Sequence, residues 1–141
     1  MRIGLTYDLQ TDPSDERQAE FDQPATLEAL GTALRACGYG VAPLGSAREL
    51  LSDRSRLAGI DLVFNLAEGQ GTRCREAYAP VLLELLDVPY VGSAVAASAI
   101  CMDKVIFKDL MAQRGLRQVG YRLVQRGGGE LPDLGYPCWV K

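Results

Sequence analysis

Apolar and polar positions alternate along this chain with two different periods. Arg2 to Tyr7 (RIGLTY), Tyr39 to Leu44, Asp61 to Leu66 (DLVFNL) and Pro89 to Val91 are short runs of largely apolar residues. Such lengths predict strands rather than helices. The DLVFNL run is nearly continuous, as in a parallel sheet covered on both faces. Between the strands the apolar period lengthens to that of a helix. Leu27, Leu30, Leu34 and Cys37 recur three or four apart, and Gly38 follows as a stop. Ser46 with Glu49 forms a capping-box pair that opens a short helix through Leu50, Leu51 and Leu57. Tyr78, Val81, Leu82, Leu85 and Leu86 predict a third helix with one apolar face. The alternation β-α-β-α-β-α-β predicts an α/β fold: a Rossmann-like open parallel sheet in the order 2-1-3-4, with helices on both faces. Ligands of such sheets bind beyond the carboxyl ends of the strands. Here those ends are the polar loop 8–23, the loop Ala67 to Arg75, and Gly92-Ser93.

Beyond Gly92 the pattern changes. Ser93 to Ala99 are all small or β-branched, and no charge occurs between Asp87 and Asp103. Two readings fit: a buried helix that ends, or a hinge that delivers Lys104 to a phosphate. Asp103 to Arg114 predicts a helix with Ile106, Phe107, Leu110 and Met111 inward, stopped by Gly115. Tyr121 to Gln125 reads as a strand, Gly127 to Gly129 as a turn, and Pro137 to Lys141 as another strand. This last part is marginal for a core of its own. The run YPCWVK also reads as an interrupted strand, so the chain is expected to be the front of something longer.

Composition narrows the chemistry. The 141 residues amount to about one domain, 48% hydrophobic and 23% charged, as in an ordinary globular protein. The net charge of −3 and scattered lysines and arginines argue against a nucleic-acid partner. The longest chargeless stretch is too short and polar for a membrane span, and MRIGLTYD runs directly into the strand pattern with no signal-peptide h-region. A cytoplasmic location is expected. Cys37, Cys74, Cys101 and Cys138 lie far apart without a Cys-x-x-Cys pair, and histidine is absent. Free thiols serving as small hydrophobes are expected, not a zinc site. The missing histidine removes Ser-His and Cys-His schemes, leaving carboxylates, lysines, backbone amides or a borrowed metal.

The loop after the first strand lacks Gly-x-Gly-x-x-Gly, which argues against dinucleotide binding. AEGQGTRCRE, Ala67 to Glu76, is the most site-like loop. Gly69 and Gly71 permit close backbone approach, Glu68 offers a carboxylate, and Arg73 and Arg75 stand at a helix start. A glycine turn with solvated arginines fits the same spacing. The loop 8–23 carries six acids and one arginine, and reads as a mobile solvated loop or a ligand cage. Within it only Glu20-Phe21-Asp22 is anchored by an aromatic.

The run FNLAEGQGTRCREAYAPVLLELLDVPYVGS (64–93), followed by MDKVIFKDLMAQRGL, resembles the amino-terminal part of D-alanine–D-alanine ligases, which are ATP-grasp enzymes. LGYPCWVK resembles the strand that ends in that family's second nucleotide lysine. The resemblance implies a pre-ATP-grasp domain over 1–101 and the beginning of the ATP-grasp domain over 102–141. It makes the small-residue segment the link between them. Lys104 and Lys141 would touch the nucleotide phosphates. Glu20 or Asp22 would hold the amino group of the first amino acid, with Glu68 as a further catalytic carboxylate. Gly69, Arg73 and Arg75 would line the substrate. The family reads Leu-His-Gly where this chain has Ala67-Glu68-Gly69, so an acid replaces a substrate-side histidine. ATP and Mg2+ are implied, with the metal ligands outside this chain, and small amino acids as substrates. A homodimer is compatible with the resemblance. The implied reaction forms an acyl phosphate that an amine attacks, and the chain alone would be inactive. The competing expectation is a free-standing α/β module for small-ligand binding or assembly.

Overall fold

The computed structural model describes residues 1–124, 135 and 137–139. Its centre is a four-stranded, all-parallel sheet of β1 (Arg2–Thr6), β2 (Gly40–Gly45), β3 (Leu62–Asn65) and β4 (Tyr90–Val91). The spatial order is β2-β1-β3-β4, as the sequence predicts. Helices α1 (Pro24–Ala36), α2 (Ala47–Ser52) and α3 (Tyr78–Leu85) connect the strands. α4 (Val95–Met102) and α5 (Lys104–Gln113) follow the last strand.

Parity along the strands explains the burial. Leu44, Leu50, Val63 and Leu83 are fully buried and form the core between the sheet, α2 and α3. Gly4 sits on this face because a larger side chain would not fit: an added Cβ would lie 2.9 Å from Leu44 Cγ, closer still to its Cδ1, and 3.2 Å from Ile60 Cγ2. Ile3 and Leu5 alternate with Gly4, point to the opposite face, and are buried as well. Both faces of β1 are therefore covered. α1 packs against β2 with half-buried Leu27, Leu30 and Leu34, and its fully buried position is Gly31.

Several expectations need correction. β2 and β4 begin one residue later than predicted, and β3 is trimmed at both ends. Asp61 is taken up in holding Arg2, whose amide donates to its carboxylate at 2.6 Å. Pro89 contributes only its carbonyl, which accepts from Val63 N. The helix expected through Leu57 breaks at Asp53, whose side chain accepts from Ser55 N and starts a separate 3-10 turn, Arg54–Leu57. The apolar face of α3 is rotated: Ala79, Pro80 and Leu83 are buried, whereas Val81 and Leu85 are exposed. The cysteines are free but exposed, so none of them serves as a buried small hydrophobe.

The small-residue segment is a helix, α4, and the break comes at Asp103. That residue is extended, with φ −85° and ψ 96°, and its carboxylate caps α5. α5 has no fully buried residue, and Ile106 is exposed rather than inward. Tyr121 to Val124 are not in a strand, nor are Pro137 to Trp139. The predicted turn 127–129 and the ends of both predicted strands, Lys141 included, lie outside the described residues.

Candidate functional site

The carboxyl ends of the strands meet in a cleft of about 270 Å³ lined by Asp22, Asn65, Glu68, Glu76, Gly92 and Ser93, with Ser98 of α4 on one side. Three carboxylates thus face one small volume. Each arrives by a different route. Asp22 comes from the loop after β1, which folds back on itself: Asp22 N donates to Asp8 O at 3.0 Å and Gln10 N to Asp22 O at 2.9 Å. Gln18 stitches the loop from within, its Oε1 accepting from Thr11 N and Asp12 N. The loop is therefore an organised wall of the cleft, which the sequence alone left undecided.

Glu68 follows β3, where the chain turns sharply. Gly69 has φ +68°, and a Cβ there would meet the carbonyl oxygen of Arg75 at 2.5 Å, so glycine is required. Its amide donates to Asp8 Oδ2 at 2.7 Å, tying the loop after β3 to the end of β1. Beneath them Thr6, fully buried, donates its hydroxyl to Asn65 Oδ1 at 2.6 Å, and Ala67 N donates to the same oxygen. Asp8 and Asn65 were not among the expected site residues. Their signal was position: each stands at or just beyond the carboxyl end of a parallel strand.

Burial raises the pKa of Glu68, and the nearby Glu76 and Glu20 raise it further against the lowering effect of Arg75. Asp22 is raised by burial and then by Asp8. Carboxylates crowded in a half-buried cleft disfavour their own ionisation. A ligand carrying a positive charge would offset the repulsion between them.

The other predicted residues are placed differently. Glu20 pairs with Arg75, and neither is among the residues lining the cleft. Arg73 turns away and pairs with Asp103 at 2.8 Å. Lys104, first residue of α5, donates its ammonium to the carbonyl of Cys101 at 2.5 Å. Among the described residues no group of three or more acidic, cysteine or histidine side chains is placed to hold a metal ion. Among the same residues, no helix is long and apolar enough to cross a membrane.

Comparison with known proteins agrees with this architecture. No family model matches the chain. It is 38% identical over 131 residues to the D-alanine–D-alanine ligase of Geobacter sulfurreducens, covering 91% of this chain and 40% of that protein. It is 35% identical over 119 residues to the same-named protein of Syntrophotalea carbinolica, covering 82% of this chain and 37% of the relative. An uncharacterized protein, y4sG of Sinorhizobium fredii, is 30% identical over 99% of this chain, and the match covers 42% of that protein. Among solved structures, D-alanine–D-alanine ligase from Bacillus anthracis complexed with ATP superimposes with a TM-score of 0.64 at 23% identity, over 93% of this chain and 40% of that one. The chain thus spans well under half the length of these relatives. The chain is thus a partial, amino-terminal match to the D-alanine–D-alanine ligase and ATP-grasp family.

Proposed function

We propose that the whole protein is an ATP-dependent carboxylate–amine ligase of the D-alanine–D-alanine type, acting in the cytoplasm on small amino acids. Residues 1–101 would form the domain before the grasp, and residues 102–141 the start of the grasp itself. The observation that carries this reading is the cleft at the carboxyl ends of the strands. Its lining of Asp22, Glu68 and Glu76 suits a cationic amino group.

In the proposed reaction the carboxylate of one amino acid attacks the γ-phosphorus of ATP, giving an acyl phosphate and ADP. The amine of the second amino acid then attacks the acyl carbon. The new amide bond forms, the C–O bond to phosphate breaks, and the amine's proton is lost. The residues of this chain supply binding and orientation. Asp22 and Glu68 would hold the ammonium of the first amino acid, with Glu20 kept close by Arg75. Gly69 lets the loop come near enough to do so. Lys104 would swing from the Cys101 carbonyl to a phosphate, where its point charge on a long stem suits a multiply charged anion. Lys141 would join it. Bound Mg2+ would neutralise phosphate charge, held by residues other than the described ones.

The test is phosphate release by the whole protein with ATP, magnesium and pairs of D-amino acids. At least one pair should support turnover, and Lys104→Ala should reduce it by about a hundredfold or more, the scale of losing one preorganised transition-state contact. Residues 1–141 alone should bind ATP no more tightly than about millimolar, or roughly −4 kcal/mol. Folded whole protein that releases no phosphate with any pair would overturn the assignment.

A further inference from the structure

Asp103 is the only charged residue among the buried residues described. Its two carboxylate oxygens have separate tasks. Oδ1 accepts from Val105 N at 3.1 Å and Ile106 N at 3.2 Å, closing the first turn of α5. Oδ2 accepts the guanidinium of Arg73, which belongs to the cleft loop 30 residues earlier. A helix N-cap needs only the first of these arrangements. The second joins the loop that carries Glu68 and Gly69 to the turn that begins with Lys104.

The packing around α5 makes this junction matter. α5 has no fully buried residue, and a helix of ten residues is marginal without tertiary support. It packs on α4, and α4 in turn packs on the 3-10 turn Arg75–Ala77 that follows the cleft loop. The polar junction at Asp103 therefore supplements thin apolar attachment at the end of the helix that bears the lysine. A pair with one partner largely exposed is weak in isolation. Here the other partner is nine-tenths buried, so losing the arginine leaves a buried carboxylate with only its backbone donors.

We propose that Arg73 and Asp103 form a clamp that sets the first turn of α5, and with it Lys104, in register with the cleft loop. Asp103 and Arg73 are then positioning residues, not catalytic ones: neither touches substrate, and both act through Lys104. The proposal rests on the reading of Lys104 as a phosphate-binding lysine.

Two measurements test it. The first is hydrogen exchange on residues 1–141 with Arg73→Ala and Arg73→Lys. Arg73→Ala should speed exchange of the Val105 and Ile106 amides by about one-and-a-half- to fivefold, the range such an ion pair spans, and leave β1 and β3 amides unchanged. Arg73→Lys should restore most of the protection. The second is steady-state kinetics on the whole protein, where Arg73→Ala should raise KM for ATP several-fold and leave KM for the amino acids within about twofold. Unchanged exchange in Arg73→Ala would overturn the clamp. Faster exchange with an unchanged KM for ATP would reduce it to a structural contact and overturn the positioning role. If Lys104→Ala itself leaves ATP use unaffected, the functional reading of that lysine fails, and the role of the clamp fails with it. Exchange data alone would then still show whether the junction exists.

Discussion

The sheet with its connecting helices and the α4–α5 segment are built on different principles. In the first, Leu44, Leu50, Val63 and Leu83 have no exposed surface, and four strands share one hydrogen-bonded ladder. In the second, the buried residues are Ser98 and Asp103, both polar. One region is held mainly by removing apolar surface from water. The other depends on directed contacts: a cap, an ion pair, and Ser98 donating to the carbonyl of Ser93 at 3.4 Å. The difference teaches where mutational sensitivity should lie. The sheet unit answers to volume, and α4–α5 answers to charge and geometry.

The widest contrast is in truncation. Leu83→Ala should cost about 2–5 kcal/mol of unfolding free energy, as buried leucines do. Leu110→Ala, half-buried on α5, should cost about 1 kcal/mol, in proportion to the area it removes from water. Urea denaturation of residues 1–141 measures both, and equal losses would erase the distinction between the regions.

Adding one methyl tests the same contrast from the opposite side. Gly4→Ala pushes a Cβ into Leu44, itself immobilised in the core, and should cost about 1–3 kcal/mol. Gly69→Ala meets a backbone carbonyl at positive φ, where a side chain costs roughly 1–2 kcal/mol. Its larger consequence should be a reshaped cleft, read as a raised KM for the first amino acid in the whole protein. A Gly69→Ala protein with normal kinetics would detach that loop from the site.

Asp103→Ala should lower global stability by about 1 kcal/mol or less, because the cap it removes serves only the first turn of α5. Amide exchange should show the loss confined to that turn. A drop in stability as large as that of Leu83→Ala would mean that α5 belongs to the cooperative unit of the sheet.

The smallest effect concerns pH, and its sign separates structural from cleft carboxylates. Glu49 is held below its ordinary value of 4.5, mainly by the Ser46 amide that bonds it. Its contribution is therefore complete above that value and is lost as pH falls through the lower folded one. Glu68 and Asp22 are raised, so the folded state binds their protons more tightly. They favour folding most at low pH, and that contribution declines as pH rises through their raised values. Glu68→Gln should therefore slightly stabilise the protein at neutral pH, and Glu49→Ala should weaken it there by an amount that shrinks as pH falls below 4.5. Both effects should stay below about 1 kcal/mol, given solvent screening. Thermal melts across pH 3–7 would show whether the two substitutions diverge.

The amino-acid sequence by itself determined the element types as far as β4, the parallel sheet, its strand order and the three loops at its functional end. Those follow from local apolar period and from the handedness of β-α-β crossovers, which need no knowledge of neighbours. It also carried the family resemblance through the glycine-rich loop and Met102-Asp103-Lys104. Which face of α3 is buried was decided by tertiary packing. Several leucines on one short helix satisfy more than one face, and only the position of Leu50 and Val63 selects Leu83 over Leu85. The partners of the charged residues were equally beyond local pattern. Arg75 chooses Glu20 across 55 residues, and Arg73 chooses Asp103 across 30. Coulomb attraction depends on distance in space, and that distance exists only once the sheet has brought the loops together.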